Sequence, residues 1–510
     1  MSDRPVEKKK SGGVLGLVEK IGNKIPDPVM IFVWLCIILM ILSAVFAGVT
    51  VIHPGTGEEV VATSLLTVAS LRKILTSVPT NFTSFAPLGA VLTIMLGCGV
   101  AEKSGWLIAL IRKMGSRASK RTVTVIVVFV GIMANQAGDA GWIVLPPLAA
   151  MLFHAVGRNP ILGLLCAFAS VSTGMAANLL PSMSDVLAGA FTIQAAQFID
   201  PNFEGNIAMN MYFLIVSTFL LTIAGTFVTE RVVDRRLGTY TGDVVLEHDQ
   251  ELSTQESKAM FGANMTFLAL CVVLVILCLG DNAFMRDPVT GSLITSGAPL
   301  MGGIITIVAV IFFIPAVVYG VFVGTIKGSR GVVGMMSESM RDMGGYIVLA
   351  FVAAQFSSWF TQSNLSTVLA VKGADVLKNM GAEGVGLLVG MFIVSCILNL
   401  FIGSASAKWA LLAPIFVPMF MLLGIHPAAT QAAYRVGDAA TNAISPLFPY
   451  MTILLAYCKK YDKNFGFGTM LANMIPYSVV MGLCWILLLV IWWFTGLPLG
   501  PQGPLTYTVG

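Results

Sequence analysis

Apolar runs of roughly 20 residues, the length a bilayer core requires, recur along this chain with short polar stretches between them. The pattern predicts spans at about Val29–Val51, Phe85–Ala101, Ile161–Ile193, Met209–Thr229, Phe261–Leu279, Leu300–Gly324, Gly345–Phe360, Ala428–Tyr457 and Leu471–Phe494. Two of these are interrupted by small polar residues, the third at Gly174–Asp185 and the eighth at Gly437–Ser445. Thr122–Ala134 and Trp142–Val156 are shorter, about 13–15 residues, and at roughly 1.5 Å per residue they stop short of a crossing. Joined by ANQAGDAG (Ala134–Gly141), they predict a re-entrant hairpin. A second hairpin is expected at about Gly384–Ile402 and Trp409–Leu423, joined at Gly403–Lys408. Non-helical backbone at membrane depth is tolerated only where it is buried in protein or lines a wet cavity, so these breaks point to a site.

The two interrupted stretches are copies of one another, displaced by 267 positions. Trp142 pairs with Trp409, Pro147 with Pro414, Phe153 with Phe420, Gly157 with Gly424 and Pro160 with Pro427. Internal duplication around broken helices is a mark of secondary transporters.

Composition narrows the class. The 510 residues are 56% hydrophobic and 11% charged, too few charges to cover a soluble surface of this size. The expectation is an all-α polytopic membrane protein. The N-terminal MSDRPVEKKKSGG is polar and basic, with no adjoining apolar core, and reads as a cytoplasmic tail. The eight cysteines form no CxxC pair, which argues against a disulfide framework or zinc site. Starting inside, the chain returns inside after spans 2, 4, 6 and 8. Basic clusters follow each return, at Arg112–Arg121, Arg231–Arg236, Lys327–Arg341 and Lys459–Lys463, as the positive-inside bias requires. One hairpin then enters from the cytoplasm and the other from outside, so the repeats are inverted.

FAPLGAVL (Phe85–Leu92), AANLL (Ala176–Leu180) with Ser184-Asp185, GSASAKW (Gly403–Trp409), LAPIFVPMFMLLG (Leu412–Gly424) and HPAATQAAYRVGDAATN (His426–Asn442) resemble the p-aminobenzoyl-glutamate transporter (AbgT) family. The resemblance runs from Val18 to the closing GLPLGP (Gly496–Pro501). It implies homodimers in the bacterial inner membrane, nine transmembrane helices plus two re-entrant hairpins, and an ion-transporter-superfamily-like fold related to sodium-coupled divalent-anion transporters. It also implies uptake of p-aminobenzoyl-glutamate in some members and efflux of sulfonamide antimetabolites in others. Lys408 departs from the uncharged residue that the resemblance leads one to expect.

Ionisable groups at membrane depth cost several kcal/mol unless they have a partner or a task. Asp139, Asp185, Lys408 and Asp438 fall in the breaks, and Arg435 lies two residues before one. Arg435 and Asp438, three residues apart, are close enough on a helix to pair. Either that pair only stabilises the span, or the planar Arg435 fork anchors a substrate carboxylate, as the resemblance favours. Asp185 either caps the helix that resumes at Val186 or carries the coupling proton or cation. Asp139 could likewise cap a helix. Asn178 and Asn442 offer amide oxygens to a sodium ion, with Asp438 nearby in sequence, and no other cofactor is expected. Ser404 and Ser406 could donate to substrate or ion, or only permit close packing. Trp409 either packs or stacks on an aryl ring. Pro181, Pro414, Pro427 and Pro446 are expected to shape the breaks, and Pro446 is grouped with the substrate residues. His154 and His426 read as interfacial.

The expected partners are a small aromatic anion, membrane lipid and a second copy, with no nucleic acid. The alternative substrate is another small carboxylate. An intramembrane aspartyl protease is disfavoured because Gly138-Asp139 and Gly437-Asp438 lack the GxGD context; no HExxH, P-loop or GxSxG motif is present. A channel would need a continuous lining instead of two broken-helix units. The expected division is 1–28 tail, 29–121 first scaffold, 122–232 first transport unit, 233–299 linker and span 5, 300–382 second scaffold, and 383–510 second transport unit.

Overall fold

The computed structural model describes residues 28–53, 57–115, 119, 122–137, 140–240, 252–293, 295, 297–445, 448 and 450–508. The fold is predominantly helical, and its helices come in two matching series. The first is α1 (Pro28–Val45), α2 (Val68–Thr83), α3 (Ala86–Lys103), α4 (Trp106–Gly115), α5 (Val123–Met133), α6 (Ala140–Ala155), α7 (Pro160–Thr173), α8 (Met183–Ala196) and α9 (Met211–Val228). After a connecting α10 (Thr254–Cys278) the second series is α11 (Ile304–Val323), α12 (Gly328–Asp342), α13 (Gly344–Gln362), α14 (Leu365–Asn379), α15 (Val385–Asn399), α16 (Ala405–Leu422), α17 (Pro427–Asn442), α18 (Met451–Tyr461) and α19 (Phe467–Thr495). The 267-residue offset survives in the caps. Asn159 accepts from the Ile161 N–H at 3.0 Å and His426 Nδ1 from the Ala428 N–H at 3.1 Å, each followed by a proline at the first helical position. Burial pushes the His426 imidazole down to about 4, which keeps Nδ1 free to accept.

Seven described helices, or joined helices, are long and apolar enough to cross a membrane, and shorter apolar helices include α5, α6, α7 and α15. On α10, Phe261, Leu268 and Ile276 are more than half exposed. An apolar face of that size is stable against lipid and not against water. The interior is built where the series meet. In each series the helix before the break packs along the pair that precedes it, α7 on α5 and α6, α17 on α15 and α16; α17 and α19 also pack together, and α8 lies between α3 and α16.

Close approach between helices rests on particular glycines. A Cβ on Gly437 would meet the Phe392 carbonyl oxygen at 2.4 Å and Ser395 Cβ at 2.8 Å, so α17 could not keep its distance from α15. Gly437→Ala is expected to cost about 1–3 kcal/mol by overpacking and to lower the thermal midpoint in detergent. Gly386→Ala on α15, with nothing within 4 Å of the added carbon, should leave the midpoint unchanged or slightly raised.

Several expected boundaries move. Span 1 ends at Val45, because Thr50–Ile52 leaves the helix to pair antiparallel with Glu59–Val61. The amphipathic α2 and α12 lie where no helix was expected. The helix after α9 continues through a π-turn, Thr229–Val233, to Leu237, where a charged loop was expected. Arg158 holds this extension, bonding Glu230 at 2.6 Å and Asp234 at 3.0 Å. Span 8 is not broken at Gly437; α17 is continuous to Asn442, and the next described helix, α18, begins at Met451. The 267-residue offset carries the first break, Ala177–Ser182, to the stretch between these two helices. Pro414 interrupts nothing: α16 runs through it to Leu422, losing one backbone donor while packing on α8 and α14 keeps it helical. Pro427 starts a helix instead of breaking one. Pro181 does lie in the first break, whereas the 1–27 tail, Asp139 and Pro446 lie outside the described residues.

Candidate functional site

The chain leaves helical geometry after Thr173 through a short 3-10 turn, Gly174–Ala176, and Ala177 is extended. Helix α8 then restarts at Met183. Asp185, in its first turn, accepts from both the Ser182 N–H and the Ser182 hydroxyl, the latter at 2.6 Å, which ties off the new helix end. The expected capping role takes another form: the helix resumes at Met183 and not at Val186, Ser182 is the cap residue, and Asp185 reaches back to it from the third helical position. It uses one carboxylate oxygen only. The other, Oδ1, forms an ion pair with Nη1 of Arg435 on α17. Arg435 and Asp185 are both buried, 6% and 1% exposed.

The expected Arg435–Asp438 pairing does not form. On a helix the two side chains leave α17 on adjacent but different bearings, and each meets a nearer partner on another element. Asp438 pairs with Lys408 of α16, itself 1% exposed. Two buried ion pairs thus join α17 to its surroundings, one across to the first repeat and one within the second. Asn399, at the end of α15, supports the second pair. Its Oδ1 accepts from the Lys408 ammonium, while Nδ2 donates to the Asp438 carbonyl at 2.8 Å, Asn442 Oδ1 at 2.8 Å and Thr441 Oγ1 at 3.0 Å. Ser445 donates to the Asn399 carbonyl at 2.7 Å.

Between the pairs lies a cavity of about 150 Å³ whose lining includes Ser184, Ser406, Trp409, Tyr434, Arg435 and Asp438. Trp409 is 1% exposed; its indole N–H donates to Thr192 Oγ1 at 2.9 Å, and Tyr434 stacks on one face with centroids 4.4 Å apart. Of the two readings of Trp409, this stack on Tyr434 is the packing one. Tyr434 donates to the Ala405 carbonyl at 2.6 Å, locking α17 to the start of α16. A polar chain from Thr192 through Gln431 to Asn210 fixes the far side, with bonds of 2.6 Å each. Ser404 caps α16, accepting from the Ala407 N–H at 3.3 Å, so of the two serines only Ser406 lines the cavity.

Asn442 closes α17 instead of lying in the break, and donates to the Ser172 carbonyl at 3.3 Å. Asn178 is in the first break and fully buried, with neither amide atom partnered among the described residues. Sequence reasoning missed Asn399, Tyr434, Thr192, Gln431 and Asn210. Asn399 carried a signal, an amide near the end of an otherwise apolar run; the others stand among small polar residues that give no sign of which way they face.

Long apolar helices, a twofold internal series and a buried cavity lined by opposed charges make up a membrane transporter. The chain belongs to the AbgT transporter family: the model described as the "AbgT putative transporter family" matches residues 13–507. It is 36% identical to the p-aminobenzoyl-glutamate transport protein of Escherichia coli (strain K12) over 497 residues, 96% of this chain and 97% of that protein. Two solved structures share the fold. The YdaH transporter of Alcanivorax borkumensis, described as having an unusual topology, is 42% identical with a TM-score of 0.89, covering 93% of this chain and all of that one. MtrF of Neisseria gonorrhoeae, described within a class of antimetabolite efflux pumps, is 41% identical with a TM-score of 0.91, covering 96% and 100%.

Proposed function

We propose that this protein is a secondary active transporter that moves a small aromatic anion of the p-aminobenzoyl-glutamate type, or exports sulfonamide antimetabolites, by alternating access coupled to sodium or protons. The observation that carries the reading is Arg435, a buried guanidinium facing a cavity beside Trp409 and held by a single carboxylate from the opposite repeat. A cavity of about 150 Å³ is the size that takes up one benzene ring in an engineered protein core. An aryl group fits it as it stands, and a longer aryl-amide needs α8 or α16 to move away. The names of the relatives favour the same substrate class.

The coupling follows from charge. A substrate carboxylate that takes Arg435 releases Asp185, and a buried carboxylate without its cation must gain a proton or a metal ion. Anion and coupling cation therefore bind together. Of the two expected amide ligands of a sodium ion, Asn442 is held by Asn399 and Ser172, so Asn178 is our candidate, with Asp185 as the proton alternative. In this reading the chain crosses the bacterial inner membrane nine times, N-terminus inside, with two re-entrant hairpins (α5–α6 and α15–α16) in inverted repeats. Helices α5–α9 and α15–α19 form a transport domain that moves against a scaffold of α1–α4 and α10–α14, in a homodimer.

Proteoliposome flux of p-aminobenzoyl-glutamate and of a sulfonamide, each under imposed sodium and proton gradients, tests this. Saturable flux that follows one of the gradients is expected. Flux that rises linearly with concentration and ignores both gradients would overturn the proposal.

A further inference from the structure

The second repeat carries a charge that the first lacks. The Lys408 ammonium contacts two oxygens, one of the Asp438 carboxylate and Oδ1 of Asn399; the Asn399 amide is also held by contacts that do not involve Lys408, whereas the buried Asp438 Oδ1 has no hydrogen-bond donor among the described residues and only this ion pair. The Asn399 amide is aimed by its three bonds to α17, and the Asn399 carbonyl by Ser445. Asp438 is carried on α17, whose spacing from α15 the Gly437 contact sets. Two oxygens, one of them anionic, thus converge on a single buried point. They make part of the oxygen shell that a small monovalent cation needs, and an ammonium is a compact charge of the same kind.

The 267-residue register puts Gly141 at the equivalent place in the first repeat. A Cβ there would meet the Ala134 carbonyl oxygen at 2.9 Å, so no side chain delivers a charge from that position. The first repeat also leaves the buried Asn178 amide without a partner among the described residues, whereas in the second repeat Lys408, Asn399 and Asn442 are all engaged.

We infer that the Lys408 ammonium is a tethered cation, filling a monovalent-cation position of the second repeat that would otherwise take a sodium ion. The second repeat then balances Asp438 without an exchangeable ion, and any ion exchanged during transport binds elsewhere. This holds whichever aromatic anion is carried, so its test uses no substrate.

The test is thermal unfolding of the purified full chain in detergent, titrated with sodium chloride against choline chloride at equal ionic strength. Lys408→Ala should gain a saturable, sodium-specific rise in midpoint, roughly 5 °C beyond that of the unaltered chain. Lys408→Ala/Asn399→Ala should lose that gain. Lys408→Met, which keeps the stem in the space without its charge, should not show it. Should Lys408→Ala be recoverable only when sodium is present, the inference is likewise supported. It is overturned if Lys408→Ala responds to sodium no more than the unaltered chain does, which would mean Asp438 takes a proton instead. Failure of Lys408→Ala to fold in either salt also overturns it, because the stem and not the charge would then hold the place.

Discussion

Arg435→Ala is expected to abolish transport, by at least about 100-fold, and to destabilise the protein by about 3–5 kcal/mol, the usual cost of stripping one partner from a buried ion pair. The second effect alone would not identify a substrate anchor, since a purely structural pair behaves the same way. The discriminating variant is Arg435→Gln combined with Asp185→Asn. Removing both charges relieves the unpaired carboxylate, and stability should return to within about 1 kcal/mol of the original. Transport should stay lost, because an anion entering the cavity would then find no guanidinium. Denaturation midpoints and proteoliposome flux on the same preparations provide the comparison. If flux recovers together with stability in the double variant, Arg435 serves only to join α17 to α8.

Asn399→Leu is expected to have the next largest effect. The substitution keeps the volume but leaves Asn442 Oδ1 without its donor and Lys408 without one of its two oxygen contacts, and it removes one donor from the Asp438 carbonyl, which Thr441 still meets at 3.5 Å. Buried groups left unpaired cost about 1–3 kcal/mol each, so a net loss of about 2–4 kcal/mol is anticipated. The same change loosens the register between α15, α16 and α17, on which the cavity depends, and flux should fall at least tenfold. An unchanged midpoint would show that these contacts are not made.

The span pattern and the duplication could be read from the chain because they depend on run length and on rare residues in register. Trp142 and Trp409, or Pro160 and Pro427, are hard to pair by chance. The breaks that the prolines suggested were less legible: Pro414 sits within a helix that continues through it, and Gly437 serves close packing rather than a break. Local composition marks a glycine or proline as unusual without saying which neighbour explains it. The same limit applied to the charges. Arg435 and Asp438 looked like partners because sequence shows only neighbours along one helix, while their contacts, Asp185 and Lys408, come from elements 250 and 30 residues away. Asp185 was legible as a cap or as a site residue; its two carboxylate oxygens do separate work, one on the Ser182 end and one on Arg435. Asn399 could have been suspected from its place in an apolar run, but its four side-chain contacts required the fold.

The central claim is that a substrate carboxylate displaces Asp185 from Arg435 and that a cation binds with it. Calorimetric titration of the purified transporter with p-aminobenzoyl-glutamate, in sodium-free buffers of differing ionisation enthalpy and then with sodium added, measures this linkage directly. The account predicts uptake of about one proton per substrate without sodium, replaced by sodium-dependent affinity when sodium is the coupling ion, and loss of both in Asp185→Asn. Binding that takes up no proton, ignores sodium and is unaltered by Asp185→Asn would contradict it.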